Sequence, residues 1–230
     1  MRDNPMVIEY IFSLESGKTL EYSVPFDRTR ETKLPKEKYP EWTVLEFQKC
    51  SNCPLSSEQH THCPVAIDAK EIIVAFGEIL SFDETDVRVK TPEREYSKHC
   101  DAQTGLRSLI GFVMATSSCP VLSSLKGLAN YHLPFASLEE VLFRVTSFYL
   151  MTQYYVYKEG GQPDLSLDGL KEQFTEIQTV NYDFLQRIRV ASQADSSLDV
   201  LSTLFSISAL ISLNLDDYLE RLRPSLVYKR

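Results

Sequence analysis

Val7-Ile8-Glu9-Tyr10-Ile11-Phe12-Ser13-Leu14, Glu15-Ser16-Gly17-Lys18 and Thr19-Leu20-Glu21-Tyr22-Ser23-Val24 follow one another without a break. Two runs rich in β-formers flank a four-residue connection whose glycine can take a positive φ, and this arrangement predicts a β-hairpin. Outward from it, residues 27–41 carry mixed charge with Pro35 and Pro40 and are expected to form an exposed connection. Trp42-Thr43-Val44-Leu45-Glu46-Phe47 is expected to return as a strand that delivers Cys50. Between Ala66 and Leu80, the residues Ile67, Ile72, Ile73, Phe76 and Leu80 recur at roughly helical spacing, with Asp68 and Glu71 near the favourable N-terminal end. Asp86-Val87-Arg88-Val89-Lys90 alternates, Thr91-Pro92-Glu93 breaks the pattern, and Arg94-Glu95-Tyr96-Ser97 can return as a second hairpin.

From Thr104 the period changes to that of helices. Leu106, Leu109, Ile110, Val113 and Met114 mark one that should stop near Ser117-Ser118-Cys119-Pro120, because proline disfavours helix at the residue before it. Ser137-Leu138-Glu139-Glu140 is a capping box opening a long helix that Gly160-Gly161 ends. Two more helices are expected, about 167–191 and 197–222, the second apolar nearly all round its middle and therefore suited to a bundle centre or an oligomer interface. The predicted class is α+β: N-terminal β-hairpins with one helix, followed by a C-terminal helical bundle. The expected division is 1–101, the α+β half with the cysteine loop, and 102–230, the helical half, sharing one core.

At 230 residues, 43% hydrophobic and 24% charged, the chain can bury a proper core. Its formal charge of -8 repels phosphate backbones, and no Lys/Arg stripe opposes that field, so nucleic acid is not expected as a partner. The N-terminus shows no apolar stretch followed by a small-residue cleavage site, which leads to an expected cytoplasmic location. The most apolar run, Val200 to Leu215, is interrupted by Ser202, Thr203, Ser206, Ser208, Ser212 and Asn214 and falls short of the ~20 apolar residues of a bilayer span.

The chemistry concentrates in Lys49-Cys50-Ser51-Asn52-Cys53-Pro54 and His60-Thr61-His62-Cys63-Pro64. A C-x-x-C turn directs two thiols to one point, and a third thiol can fold back onto them, which is metal-ligand spacing. Candidates for a fourth ligand are His60, His62, Cys119 and His132. Cys53, Cys63 and Cys119 are each followed by proline, which groups Cys119 with the loop and leaves Cys100 out. The expected set is Cys50, Cys53, Cys63 and Cys119 around Zn²⁺, with an iron-sulfur cluster ranked below it. Two other readings compete: a redox dithiol with Cys50 as attacking thiolate, and reduced thiols behaving as small hydrophobes. A zinc knuckle is rejected, because its histidine position holds Glu58 and the surroundings are not basic.

The segments Lys49-Cys50-Ser51-Asn52-Cys53-Pro54-Leu55, Cys63-Pro64-Val65-Ala66, Met114-Ala115-Thr116-Ser117-Ser118-Cys119-Pro120, His132-Leu133-Pro134-Phe135-Ala136 and Tyr149-Leu150-Met151-Thr152-Gln153-Tyr154 together resemble a family of uncharacterised bacterial cysteine-motif proteins. The resemblance implies a bacterial source and places the four selected cysteines inside family motifs. It implies no activity.

Elsewhere there is no G-x-S-x-G, P-loop, G-x-G-x-x-G or H-E-x-x-H. The tyrosines Tyr149, Tyr154, Tyr155 and Tyr157 are read as core with exposed tips, His132 as bonded to a carbonyl, and Arg187 and Arg189 as a solvated helix face. The expectation is a non-enzymatic, metal-stabilised interaction or scaffold protein with a protein partner or self-association; the alternative is a thiol-redox or iron-sulfur protein.

Overall fold

The fold is α+β. A computed structural model describes residues 6–28, 31–35, 38–191 and 195–227, apart from the side chains at 78, 191, 195–201 and 205. Four antiparallel strands, β1 (Val7–Leu14), β2 (Thr19–Pro25), β3 (Glu84–Lys90) and β4 (Glu95–Asp101), form one sheet in the order β2-β1-β3-β4. Both expected hairpins are present. Gly17 takes φ 83° and donates its amide to the Leu14 carbonyl at 2.9 Å, closing the first turn.

Strand β1 is central, with Tyr10 opposite Tyr22 on one side and Val89 on the other. Its alternation is complete: Ile8, Tyr10 and Phe12 are wholly buried while Glu9 and Ser13 are exposed. Helix α1 (Pro64–Ala75) opens with Pro64 at its first position and ends before the expected Leu80, passing into a 3₁₀ turn at Phe76–Glu78. Helix α2 (Ala102–Ala115) starts where Asp101 accepts the Thr104 amide at 2.6 Å. It lies on the sheet through Gly105, where a Cβ would stand 2.7 Å from the Phe12 ring and 2.8 Å from the Val87 methyl.

The remaining helices are α3 (Lys126–Ala129), α4 (Leu138–Lys158), α5 (Asp168–Ala191) and α6 (Asp195–Leu226). The Ser137/Glu140 capping box forms as predicted, and its backbone and hydroxyl donors hold the Glu140 carboxyl below the usual carboxylate range. Helix α6 packs on α2, α4 and α5, burying Ser208, Ile211 and Leu215, and is broken at Asn214 (φ -130°, ψ 20°). The side chains of Val200, Leu201 and Phe205, on which its apolar reading also rests, lie outside the described residues. One cluster of buried hydrophobic residues extends from Met6 in the sheet to Leu215 in α6.

One strand expectation fails. Residues 42–47 form a 3₁₀ turn at Glu41–Thr43, a single bridge from Val44 to His62, and further turns. The carbonyls of Trp42, Val44 and Leu45 turn toward a side chain instead of a neighbouring strand. That side chain is Arg187.

Candidate functional site

Arg187 is 1% exposed, against the expected solvated face. It stands on the apolar stripe of α5 with Val180, Phe184 and Ile188, so the helix carries its guanidinium into the core. There Nη1 donates to the Trp42 and Val44 carbonyls, both at 2.7 Å, and Nη2 to the Leu45 carbonyl at 3.0 Å. Its Nε is buried without a hydrogen-bond partner, and among the described residues it has no ion-pair partner.

The same helix grips the C-x-x-C turn. The amide and hydroxyl of Ser51 donate to Asp183 at 2.7 and 2.9 Å, and Asn52 Nδ2 donates to the carbonyl and carboxylate of Glu176 at 3.0 and 2.6 Å. The turn itself closes through the Cys53 amide on the Cys50 carbonyl at 3.0 Å. Cys63 immediately precedes α1, and the amides of Val65 and Ala66 hydrogen-bond to its sulfur; those of Val121 and Leu122 do the same for Cys119. The two Cys-Pro-Val segments thus build the same local device, a sulfur facing two amides.

Cys50, Cys63 and Cys119 each feel neighbouring thiols. Charge on Cys63 or Cys119 would raise the Cys50 thiol, and Cys53 acts likewise on Cys63 and Cys119, so a charge on any one disfavours charge on its neighbours. Burial is the main influence, pushing Cys50 up to about 12 and Cys119 up to about 11, and raising Cys63; the Arg187 cation opposes it at Cys50 and Cys63. Cys100 is apart, on β4 beside Asp101, Lys98 and Glu84.

The histidines take other work. His62 is buried with Nδ1 hydrogen-bonded to Thr61 Oγ1 at 2.8 Å and its ring against Tyr39. His132 hydrogen-bonds to the Tyr10 hydroxyl rather than to a carbonyl. His60 closes a turn through its amide on Ser56. Among the described residues no group of three or more His, Cys, Asp or Glu side chains stands in a metal-holding arrangement, so the cysteines are neighbours without converging on one point.

Sequence reading singles out Cys50, Cys53, Cys63 and Cys119 and misses Glu176, Asp183 and Arg187, which hold the C-x-x-C turn and the segment before it. A periodicity argument reaches one of these, since Arg187 interrupts an apolar stripe.

A family model matches residues 8–227. The chain belongs to the family described as Domain of unknown function (DUF6901). No curated protein and no solved structure matches it. Among the described residues of this DUF6901 chain, no helix is long and apolar enough to cross a membrane.

Proposed function

We propose that this is a non-enzymatic interaction or scaffold protein whose two halves are tied by one structural metal ion, Zn²⁺, held by Cys50, Cys53, Cys63 and Cys119. The observation that carries this reading is Arg187: a buried cation, without an ion-pair partner among the described residues, whose charge reaches Cys50 and Cys63. Four thiolates around a divalent zinc leave a dianionic centre, and a buried guanidinium offsets part of that charge. The amides of Val65, Ala66, Val121 and Leu122 at two of the sulfurs are donors of the kind that stabilise metal-bound thiolate.

The reading requires the thiols to turn inward by side-chain rotation. Four protein ligands leave no open position, which suits a structural role. An iron-sulfur cluster would use the same thiols. An activated redox thiolate is disfavoured, since burial holds Cys50 in its thiol form. Support for an interaction role comes from α4, which exposes Phe143, Leu150, Tyr154 and Tyr157 along one face.

Elemental analysis of protein purified under reducing conditions without chelator should find about one zinc per chain, in a colourless sample. Cys53→Ser should lose it and Cys100→Ser should keep it. A brown sample carrying iron and sulfide would replace zinc with a cluster; absence of stoichiometric metal would overturn the assignment.

A further inference from the structure

Between α2, α4, α5 and α6 lies a cavity of about 210 Å³, separate from the cysteines. Its walls are largely apolar, with Phe112, Leu125, Leu128, Val145, Phe174 and Ile177 among them. The polar lining is mostly satisfied within the protein. Asn181 Nδ2 donates to the Leu204 carbonyl at 3.2 Å and to Ser208 Oγ at 3.1 Å, and Ser208 Oγ donates to the Leu204 carbonyl at 3.0 Å. Arg144 donates to the Tyr131 carbonyl at 2.6 Å. His132 and Ser108 are both hydrogen-bonded to Tyr10.

Arg107 differs. It lines the cavity, is half-buried, and has no hydrogen bond or ion pair among the described residues. An apolar chamber with one unengaged, partly desolvated cation at its wall matches a molecule with a hydrocarbon body and one anionic end. Size narrows the class further: about 210 Å³ lies below the ~300–1,000 Å³ of pockets for drug-sized ligands, which favours a small, slender molecule such as a medium-length alkyl chain.

We propose that this cavity binds an unbranched medium-chain monocarboxylate, with the carboxylate paired to Arg107 and the alkyl chain among Leu125, Leu128 and Phe174. The floor of the site includes Gly111, where a Cβ would meet only the Leu204 methyl, at 3.9 Å, so the helix leaves the space open at that position. A larger residue there fills the chamber from a helix that tolerates it well.

The test is titration calorimetry of the full chain with octanoate, octanol and acetate, all below the concentration at which octanoate self-associates. Octanoate should bind saturably at one site per chain, with octanol and acetate each at least tenfold weaker. Arg107→Gln should weaken octanoate at least tenfold and leave octanol unchanged. Gly111→Leu should abolish octanoate binding while melting no lower than the parent. Absence of saturable octanoate binding to the parent, or its persistence in Gly111→Leu, overturns the site; equal affinity for octanol and octanoate, or an unaffected Arg107→Gln, overturns the recognition of an anionic end.

Discussion

Arg187 reaches Leu45 across 3.0 Å and 142 positions of sequence, joining a point about one turn from the end of α5 to a segment that belongs to no strand or α-helix. With the Trp42 and Val44 carbonyls also on this guanidinium, three backbone acceptors meet on one side chain. Arg187→Leu removes all three bonds, leaving Val44 only the Phe47 amide, and should lower stability by on the order of 3–5 kcal/mol in urea unfolding. Arg187→Lys should recover only part of this, because one ammonium cannot reproduce the planar fork. A melt unchanged in Arg187→Leu would show that the segment is held by other means.

Two glycines of α2 should respond with opposite sign. Gly105→Ala drives a methyl against the Phe12 ring and Val87, both wholly buried, an overpacking worth about 1–3 kcal/mol that exceeds the gain in helix propensity. Gly111→Ala faces open space and should stabilise by about 0.5–1 kcal/mol. Thermal unfolding of the two variants side by side checks the pair.

Acid should destabilise the protein through His132. Burial, assisted by the positive charge of Arg144, lowers its pKa from 6.5 to about 3. Between those values the unfolded chain takes up a proton that the folded chain refuses, so this contribution is fully present above about pH 6.5 and is lost as pH falls toward 3. From pH 6.5 to 5 the loss is about 2 kcal/mol. His132→Gln removes the titration, and its stability should fall less than the parent's over that interval by this amount; parallel pH profiles would show that the imidazole is not held neutral.

The thiols should be slow to react. With Cys50 raised from 9.0 to about 12, the folded chain at pH 8 carries about a thousandfold less thiolate there than an unfolded one. Iodoacetamide should therefore label Cys50 at least a hundredfold more slowly in the native protein than in urea, read by peptide mass. Rapid native labelling would mark an activated nucleophile and favour redox chemistry over a structural role.

Much of the fold was legible because its signals are local. The hairpin at Gly17, the Asp86–Lys90 alternation and the Ser137/Glu140 box each contain their own instructions within a few residues. Residues 42–47 misled for the converse reason: Val44, Leu45 and Phe47 have strand composition, but the carbonyls of Val44 and Leu45 are claimed by Arg187, more than 140 positions away. No local pattern encodes that. The repeated Cys-Pro marks a local likeness that the structure does show, the matching amide environments of Cys63 and Cys119. The cavity beside Arg107 was not, because it is made where four helices meet, and periodicity marks faces without revealing how completely they fill the space between them.

The dependence of residues 42–45 on Arg187 also fixes an order of events in time. During synthesis the segment and its cysteines emerge long before α5 exists to receive them, and closing so long a loop is entropically slow. The sheet, α1 and the Val44–His62 bridge can assemble from neighbouring contacts, whereas the carbonyls of Trp42, Val44 and Leu45 have no Arg187 to receive them until the chain is four-fifths made. The C-x-x-C turn waits with them, because Glu176 and Asp183, which grip Asn52 and Ser51, are made equally late, so the arrival of α5 is the step that gives Cys50 and Cys53 their native surroundings.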